Sequence, residues 1–313
     1  MTCPEAPAAL LARSRSSSAP GERLSPEGLD WLEGASVERI LGRMQSENFK
    51  VASRLLPRAW RSDLVALYGF ARLVDEIGDA APGDRGALLD WIEADLERAF
   101  EGRAQHPLLS NLAPTIARCG LPRAALRRLI RANRQDQRVQ RYVTWRELRE
   151  YCRLSADPVG ELVLHVFGIA SPERIALSDS ICTGLQLAEH WQDVAEDLRA
   201  GRIYLPGEDL DRFGCSATDL TAPRATGRVR ELMRFEVARA RRWLREGAPL
   251  VHEVRGRARL AIAGFAAGGF AALDAIERRD FDVLGGAPRP RHRDRLRHTA
   301  ALLRRPRGGA GSP

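Results

Sequence analysis

Two short acidic stretches decide how this chain reads: Ala71-Arg72-Leu73-Val74-Asp75-Glu76-Ile77-Gly78-Asp79 and Glu189-His190-Trp191-Gln192-Asp193-Val194-Ala195-Glu196-Asp197. Residues three or four apart share one face of a helix. Leu64, Tyr68, Arg72, Asp75 and Asp79 therefore line up along a helix predicted from about Ser62 to Gly78. In the second stretch Glu189, Asp193 and Asp197 form a ladder on a long helix, predicted to open at Ser171-Pro172-Glu173 and to end at Gly201. Like charges at this spacing destabilise an isolated helix by about 0.2–0.5 kcal/mol per pair, so the ladders call for a compensating cation. Paired hard oxygen ligands suit Mg²⁺, which keeps waters and bridges to phosphate oxygens. Arg202 and Tyr204, in Gly201-Arg202-Ile203-Tyr204-Leu205-Pro206, supply a guanidinium and a hydroxyl for the same anion. Either ladder alone is the usual signature of a solvated helix face. Two of them, each near an arginine and each interrupting an apolar helix, point to a diphosphate held by Mg²⁺ between helices.

Working outward, the chain reads as all-α. Helical starts fall at Ser25-Pro26-Glu27 and at Ser36, the latter with Ile40, Leu41 and Met44 on one face. Further helices fit 85–101, 107–119 with Gly120 as the stop, and 122–135. Thr144 and Glu147 form a capping box opening a helix towards Leu154, and Pro158–Gly160 interrupts it before helix resumes through Phe167. Segments 225–247 and 255–279 are also helical in pattern. No alternating strand pattern and no fixed-period repeat occurs. The expected organisation is a disordered segment over 1–24, one helical domain over 25–286, and a basic tail over 287–313.

At 313 residues the chain can bury a large core and still enclose a cavity. It contains no run of about 18 uninterrupted apolar residues, and its N-terminus lacks the pattern of a secretory signal. Five widely spaced cysteines without a C-x-x-C pair read as reduced, structural thiols, and the expected location is cytoplasmic. The net charge of +8 invites a nucleic-acid reading, but residues 287–313 hold eight arginines against one aspartate, leaving the rest close to neutral. Nucleic acid is therefore not an expected partner. The stretch Arg291–Arg305 reads as a solvated, disordered extension. Its functional alternative is attraction to anionic lipid on the inner face of a membrane, at about 1 kcal/mol per arginine.

These residues resemble the squalene/phytoene synthase family. Asp75-Glu76-Ile77-Gly78-Asp79 is similar to its first aspartate-rich motif, and Gln192 to Asp197 with Gly201 to Pro206 is similar to the second and its trailing basic segment. The likeness runs from about 36 to 285 and takes in Ile181-Cys182-Thr183-Gly184-Leu185-Gln186. Two blocks, Glu47-Asn48-Phe49-Lys50-Val51-Ala52-Ser53 and Tyr151-Cys152-Arg153-Leu154-Ser155-Ala156-Asp157-Pro158-Val159-Gly160, look most like the hydroxysqualene-forming subgroup of hopanoid biosynthesis.

The resemblance implies a single isoprenoid-synthase helical bundle with a central cavity. It implies Mg²⁺ on Asp75, Asp79, Asp193 and Asp197, and Glu189, on the same ladder, is a further carboxylate able to ligate it. Arg72, Arg202 and Tyr204 would contact diphosphate, and Tyr151 would sit over the reacting carbons. Asn48, Phe49 and Tyr68 belong with substrate binding, and aromatic lining is available from Phe49, Tyr68, Tyr151 and Phe167. The substrate implied is presqualene diphosphate or another prenyl diphosphate, with other enzymes of the hopanoid pathway as contacts.

The chain departs from the family pattern at Glu189, where Asn is usual, at His190, where an aromatic is usual, and at Gln45-Ser46, where the subgroup carries His-Tyr. Two other readings therefore stay open. One is a head-to-head prenyl transferase making presqualene diphosphate, squalene or phytoene, and the other a weakened, non-catalytic partner subunit. His165 and His252 read as helix-face or core histidines, and Trp60, Trp145, Trp191 and Trp243 as packing anchors.

Overall fold

The computed structural model describes residues 31, 32, 40 and 56–304. The helical starts expected near Ser25 and Ser36, the segment 1–24, and the substrate residues Asn48 and Phe49 lie outside the described residues. The regular structure of the described residues is helical, with α1 (Arg58–Ala80), α2 (Arg85–Phe100), α3 (Pro107–Cys119), α4 (Arg123–Asp136), α5 (Trp145–Ser155), α6 (Asp157–Val166) and α7 (Pro172–Gln192). There follow α8 (Val194–Arg199), α9 (Gly207–Arg212), α10 (Gly227–Gly247), α11 (Leu250–Glu253), α12 (Gly256–Arg278) and α13 (His292–Leu303).

Local chemistry sets many of the boundaries. Asp84, Ser171 and Thr226 each cap a helix by accepting from a backbone N–H three residues on, and Thr144 with Glu147 completes the expected capping box. Gly120 ends α3 at φ 60°, a left-handed turn that glycine adopts without a Cβ penalty.

Two helix breaks differ from expectation. The helix after Thr144 is interrupted at Ala156, and Pro158 sits in the first turn of α6, where its missing N–H is not needed. The long helix expected to reach Gly201 breaks at Asp193, whose φ of −103° and ψ of 14° leave helical geometry. Glu189 therefore ends one helix while Asp197 belongs to the next, and Asp193 is the joint between them.

α7 packs against α10, α6, α12 and α5, while α1 packs against α3, α4, α2 and α6. The close approach of α7 to α10 depends on Gly247. A Cβ there would lie 2.5 Å from the Leu177 carbonyl oxygen and 2.8 Å from the Ile181 nitrogen, both backbone atoms that cannot move aside. Trp191 is fully buried and donates from its indole nitrogen to the Glu236 carbonyl at 3.1 Å, anchoring α7 on α10 as expected of a packing tryptophan. Trp145 and Trp243 pack together with ring centroids 6.2 Å apart.

The expectation of a disordered stretch over Arg291–Arg305 is corrected: residues 292–303 form α13, packed along α12. Asp274 on α12 receives Arg241 at 3.0 Å, Arg297 at 2.5 Å and His298 at 2.7 Å, and Arg278 reaches Asp294 at 2.6 Å. The arginines that looked like a solvated charge run are partly consumed in docking this helix. α12 itself is long and apolar enough to cross a membrane, but 67% of its apolar window is buried inside the fold, as for a core helix.

Candidate active site

The two acidic motifs meet around one polar chamber of about 320 Å³. Asp75 and Asp79 reach it from α1, Glu189 from the end of α7, Asp193 from the break, and Asp197 from α8; Tyr151 (α5), Arg202 and Tyr204 complete the expected set. Leu129 of α4 lines both this chamber and a second, apolar cavity of about 230 Å³. The apolar cavity is walled by Leu64, Leu67, Tyr68, Leu164, Ile181 and Phe265 among others. A charged compartment and an apolar one thus share a wall.

Arg202 and Tyr204 are brought in by pairing between two loops. The Ile203 N–H donates to the Gln140 carbonyl, and the Gly207 and Glu208 N–H groups donate to the Tyr142 and Val143 carbonyls, each at 2.9 Å. This lays the segment after α8 along the loop between α4 and α5, with the Arg141–Ile203 pair forming an isolated parallel bridge. Arg202 then donates to Asp79 at 3.0 Å, linking the second motif to the first. Tyr204 stacks face to face on His190, with centroids 3.7 Å apart and planes 13° from parallel. Tyr151 lies 5.8 Å from Tyr204 and 5.4 Å from Tyr142, so three phenols and an imidazole make an aromatic wall.

Other expected residues go elsewhere. Arg72 does not line the chamber; its guanidinium donates to Glu76 at 3.0 Å, one turn along α1. Tyr68 faces the apolar cavity rather than the chamber. Phe167 lines neither, packing on Trp60 with centroids 4.5 Å apart. His190, an unusual residue for its position, is buried and accepts from the Gln186 amide at 3.0 Å. Burial, with help from the Arg202 charge, lowers its pKa to about 3, so it is a neutral ring.

Four polar lining residues were missed from the sequence: Asn133, Asp136, Ser155 and Gln186. Asn133 donates to Asp75 at 3.1 Å, and Tyr151 donates to Asp136 at 2.9 Å. A signal existed. Leu126, Leu129, Asn133 and Asp136 are spaced three, four and three apart, so the two polar residues continue the apolar stripe of α4 instead of its arginine-rich face. The glycine of the first motif also has its reason here, because a Cβ on Gly78 would collide with the Asn133 side-chain oxygen.

The chamber is overloaded with negative charge. Burial raises Asp75 to about 6, opposed by the hydrogen bond from Asn133 and the charge of Arg72. Burial and the neighbouring Asp193 raise Asp197 to about 7, and burial raises Asp193 as well. Shifts of this kind mark carboxylates short of positive partners. Among the described residues no three carboxylate, imidazole or thiolate side chains converge into a preformed metal cage. Opposed carboxylates around a polar chamber fit a cation that retains water and takes ligands from a bound phosphate, as Mg²⁺ does, and not a closed structural site.

This fold sets an acid-lined chamber beside an apolar cavity inside one all-α bundle. A sequence profile described as squalene/phytoene synthase matches residues 43–299. The chain is 35% identical to a hydroxysqualene synthase of Sinorhizobium fredii, over 67% of this chain and 72% of that protein. It is 33% identical to a phytoene synthase of Arthrospira platensis, over 78% and 84%. The crystal structure of squalene synthase HpnC from Alicyclobacillus acidocaldarius superposes with a TM-score of 0.74 at 45% identity, covering 79% of this chain and 94% of that one. The chain belongs to the squalene/phytoene synthase family and is an enzyme of it.

Proposed function

We propose that this enzyme converts presqualene diphosphate to hydroxysqualene with release of diphosphate, in a Mg²⁺-dependent reaction of hopanoid biosynthesis. The observation that carries the reading is the junction of the two cavities at Leu129: five motif carboxylates and Arg202 on one side, an apolar pocket on the other. Similarity to a hydroxysqualene synthase supports the specific reaction, and similarity to the HpnC squalene synthase supports the class.

Asp75, Asp79, Glu189, Asp193 and Asp197 would hold Mg²⁺, which supplies neutralisation of the charge that grows on departing diphosphate. Arg202 leaves its resting pair with Asp79 to bind diphosphate oxygens, because a dianionic phosphate outcompetes a single, half-exposed carboxylate. Tyr204 is held beside it by the stack on His190, and its hydroxyl, hydrogen-bonded to Tyr151 at rest, turns to the same head group. Burial pushes the Tyr204 phenol up to about 12, so it stays protonated and can donate. The apolar cavity takes the hydrocarbon chains and keeps water from the cation except where it is captured. Tyr151 and Tyr204, which line the chamber, offer electron-rich ring faces to that cation, with Tyr142 packed behind them.

The second reading, a head-to-head prenyl transferase, is favoured by the 33% identity to a phytoene synthase, a level close to that of the hydroxysqualene synthases. Purified enzyme with Mg²⁺ is given presqualene diphosphate or farnesyl diphosphate separately, and products are identified by mass spectrometry. Hydroxysqualene from presqualene diphosphate alone supports the first reading; condensed product from farnesyl diphosphate selects the second. Binding of either diphosphate without turnover would argue against both readings.

A further inference from the structure

Asp136 lines the chamber yet has no place in the chemistry above. It is the last residue of α4 and only 9% exposed. Its Oδ2 accepts from the Tyr151 hydroxyl at 2.9 Å, whereas its Oδ1 is sealed from solvent with no hydrogen-bond partner. It makes no ion pair among the described residues, although the Arg202 charge acts on it from a distance. Burying a carboxylate without a cationic partner is unfavourable, and here burial raises it to about 6. Packing alone gives no reason for an acid at this position, since a neutral side chain of the same shape would avoid that penalty.

The effect of Asp136 falls on Tyr151. A phenol carries one hydrogen, and that hydrogen is committed to the carboxylate. The Tyr151 oxygen is left with lone pairs only, one of them taken by the hydroxyl of Tyr204. It has no hydrogen to offer a diphosphate oxygen, and it presents the negative end of its dipole with a carboxylate directly behind it. The ring is fixed by Tyr142 and Tyr204 on its flanks, so the oxygen cannot swing away from this arrangement.

We infer that Asp136 is a positioning residue that commits the Tyr151 hydrogen, so that the phenol faces the reacting carbons as a fixed acceptor and stabilises positive charge on them. No bond forms or breaks at Asp136; its contribution is orientation and charge. The inference rests on the reading of the chamber as the place where a prenyl diphosphate ionises.

A double-mutant cycle on the full chain tests it, with wild type, Asp136→Asn, Tyr151→Phe and the double variant. Diphosphate release and product composition are followed from presqualene diphosphate with Mg²⁺. Asn keeps the size and a carbonyl acceptor but removes the charge. Each single variant is expected to lose about a hundredfold in kcat with KM within about twofold, as for a misplaced group acting only in the transition state. The double variant is expected to be no worse than the weaker single one, because both changes remove the same interaction. Asp136→Glu should recover part of the rate. Additive losses, or an Asp136→Asn variant that loses melting temperature while keeping its kcat and product spectrum, would overturn the proposal.

A readout without turnover separates this from the underlying reading. With ¹³Cζ-labelled tyrosine, the chain has only four resonances to assign, and that of Tyr151 is identified by its loss in Tyr151→Phe. It should move in Asp136→Asn; an unmoved resonance sinks the positioning role even if wild type is active. A wild type that releases no diphosphate from any prenyl substrate, with the resonance shift present, instead refutes the reading of the chamber.

Discussion

Arg202 Nη2 lies 3.0 Å from Asp79 Oδ1, so the segment after α8 closes on the end of α1, 123 positions earlier in the chain. Asp79 is 57% and Arg202 24% exposed, and a pair this open contributes about 0–1 kcal/mol to stability. Its importance lies in placing a guanidinium at the chamber mouth. Arg202→Ala is expected to lower kcat/KM for presqualene diphosphate by about 10²–10³, the range for losing one preorganised donor to a developing anion. Its melting temperature should stay near that of wild type. A variant with normal kcat/KM would remove Arg202 from diphosphate binding.

Gly78→Ala gives a prediction whose sign is informative. In an open helix interior, alanine is more stable than glycine by about 0.5–1 kcal/mol. Here the new methyl collides with the Asn133 side chain, which must leave Asp75. The variant is expected to be destabilised by about 1–3 kcal/mol in chemical denaturation, as for other overpacked sites. It should also need more Mg²⁺ for half-maximal activity. A stabilised variant would mean that α4 moves aside at little cost.

The raised carboxylates predict a pH dependence that Mg²⁺ should cancel. Asp75 and Asp197 rise from an ordinary 3.8 to about 6 and about 7 in the folded chain. Between about pH 4 and 7 the folded state therefore binds more protons than the unfolded state, and stability falls as pH rises through that window. Metal-free protein should show this site's contribution as a lower melting temperature at pH 8 than at pH 5.5. Adding Mg²⁺ should raise the melting temperature more at pH 8, where these carboxylates are ionised and able to bind it. Equal Mg²⁺ stabilisation at both pH values would argue against metal at these residues.

The docking of α13 predicts that the basic C-terminal region contributes to stability. Asp274 is 13% exposed and holds Arg241, Arg297 and His298 together, and the His298 ring stacks on Phe270 at 5.3 Å. Deleting residues 287–313 should lower the melting temperature by several degrees, and Asp274→Asn should speed amide exchange over 292–303. A solvated extension would leave both unchanged. Liposome binding by the same deletion variant tests separately the alternative expectation that this stretch meets anionic lipid.

Much of the fold was legible because local signals set it. Capping at Thr144 and Ser171, the glycine stop at Gly120, and the apolar period of α1 each act within one or two helical turns, so the residues that cause them are neighbours in sequence. The break at Asp193 was not legible. Nothing in Gln192-Asp193-Val194 forbids helix, and the joint belongs to the way α7 and α8 meet the rest of the bundle. Arg291–Arg305 misled for a related reason: its composition is that of a solvated segment, and the acids that neutralise it, such as Asp274, lie on another helix.

The sequence by itself determined the helical class, the two acidic motifs and the expectation that their carboxylates face one anion, because charge and helical period are properties of short stretches. Tertiary structure alone decided that Asn133 and Asp136 join the site from α4, that Arg202 reaches Asp79, and that Tyr204 rests on His190. Those outcomes depend on which helices touch and at what distance. That is set by close approaches such as Gly78 against Asn133, which no single stretch of chain contains.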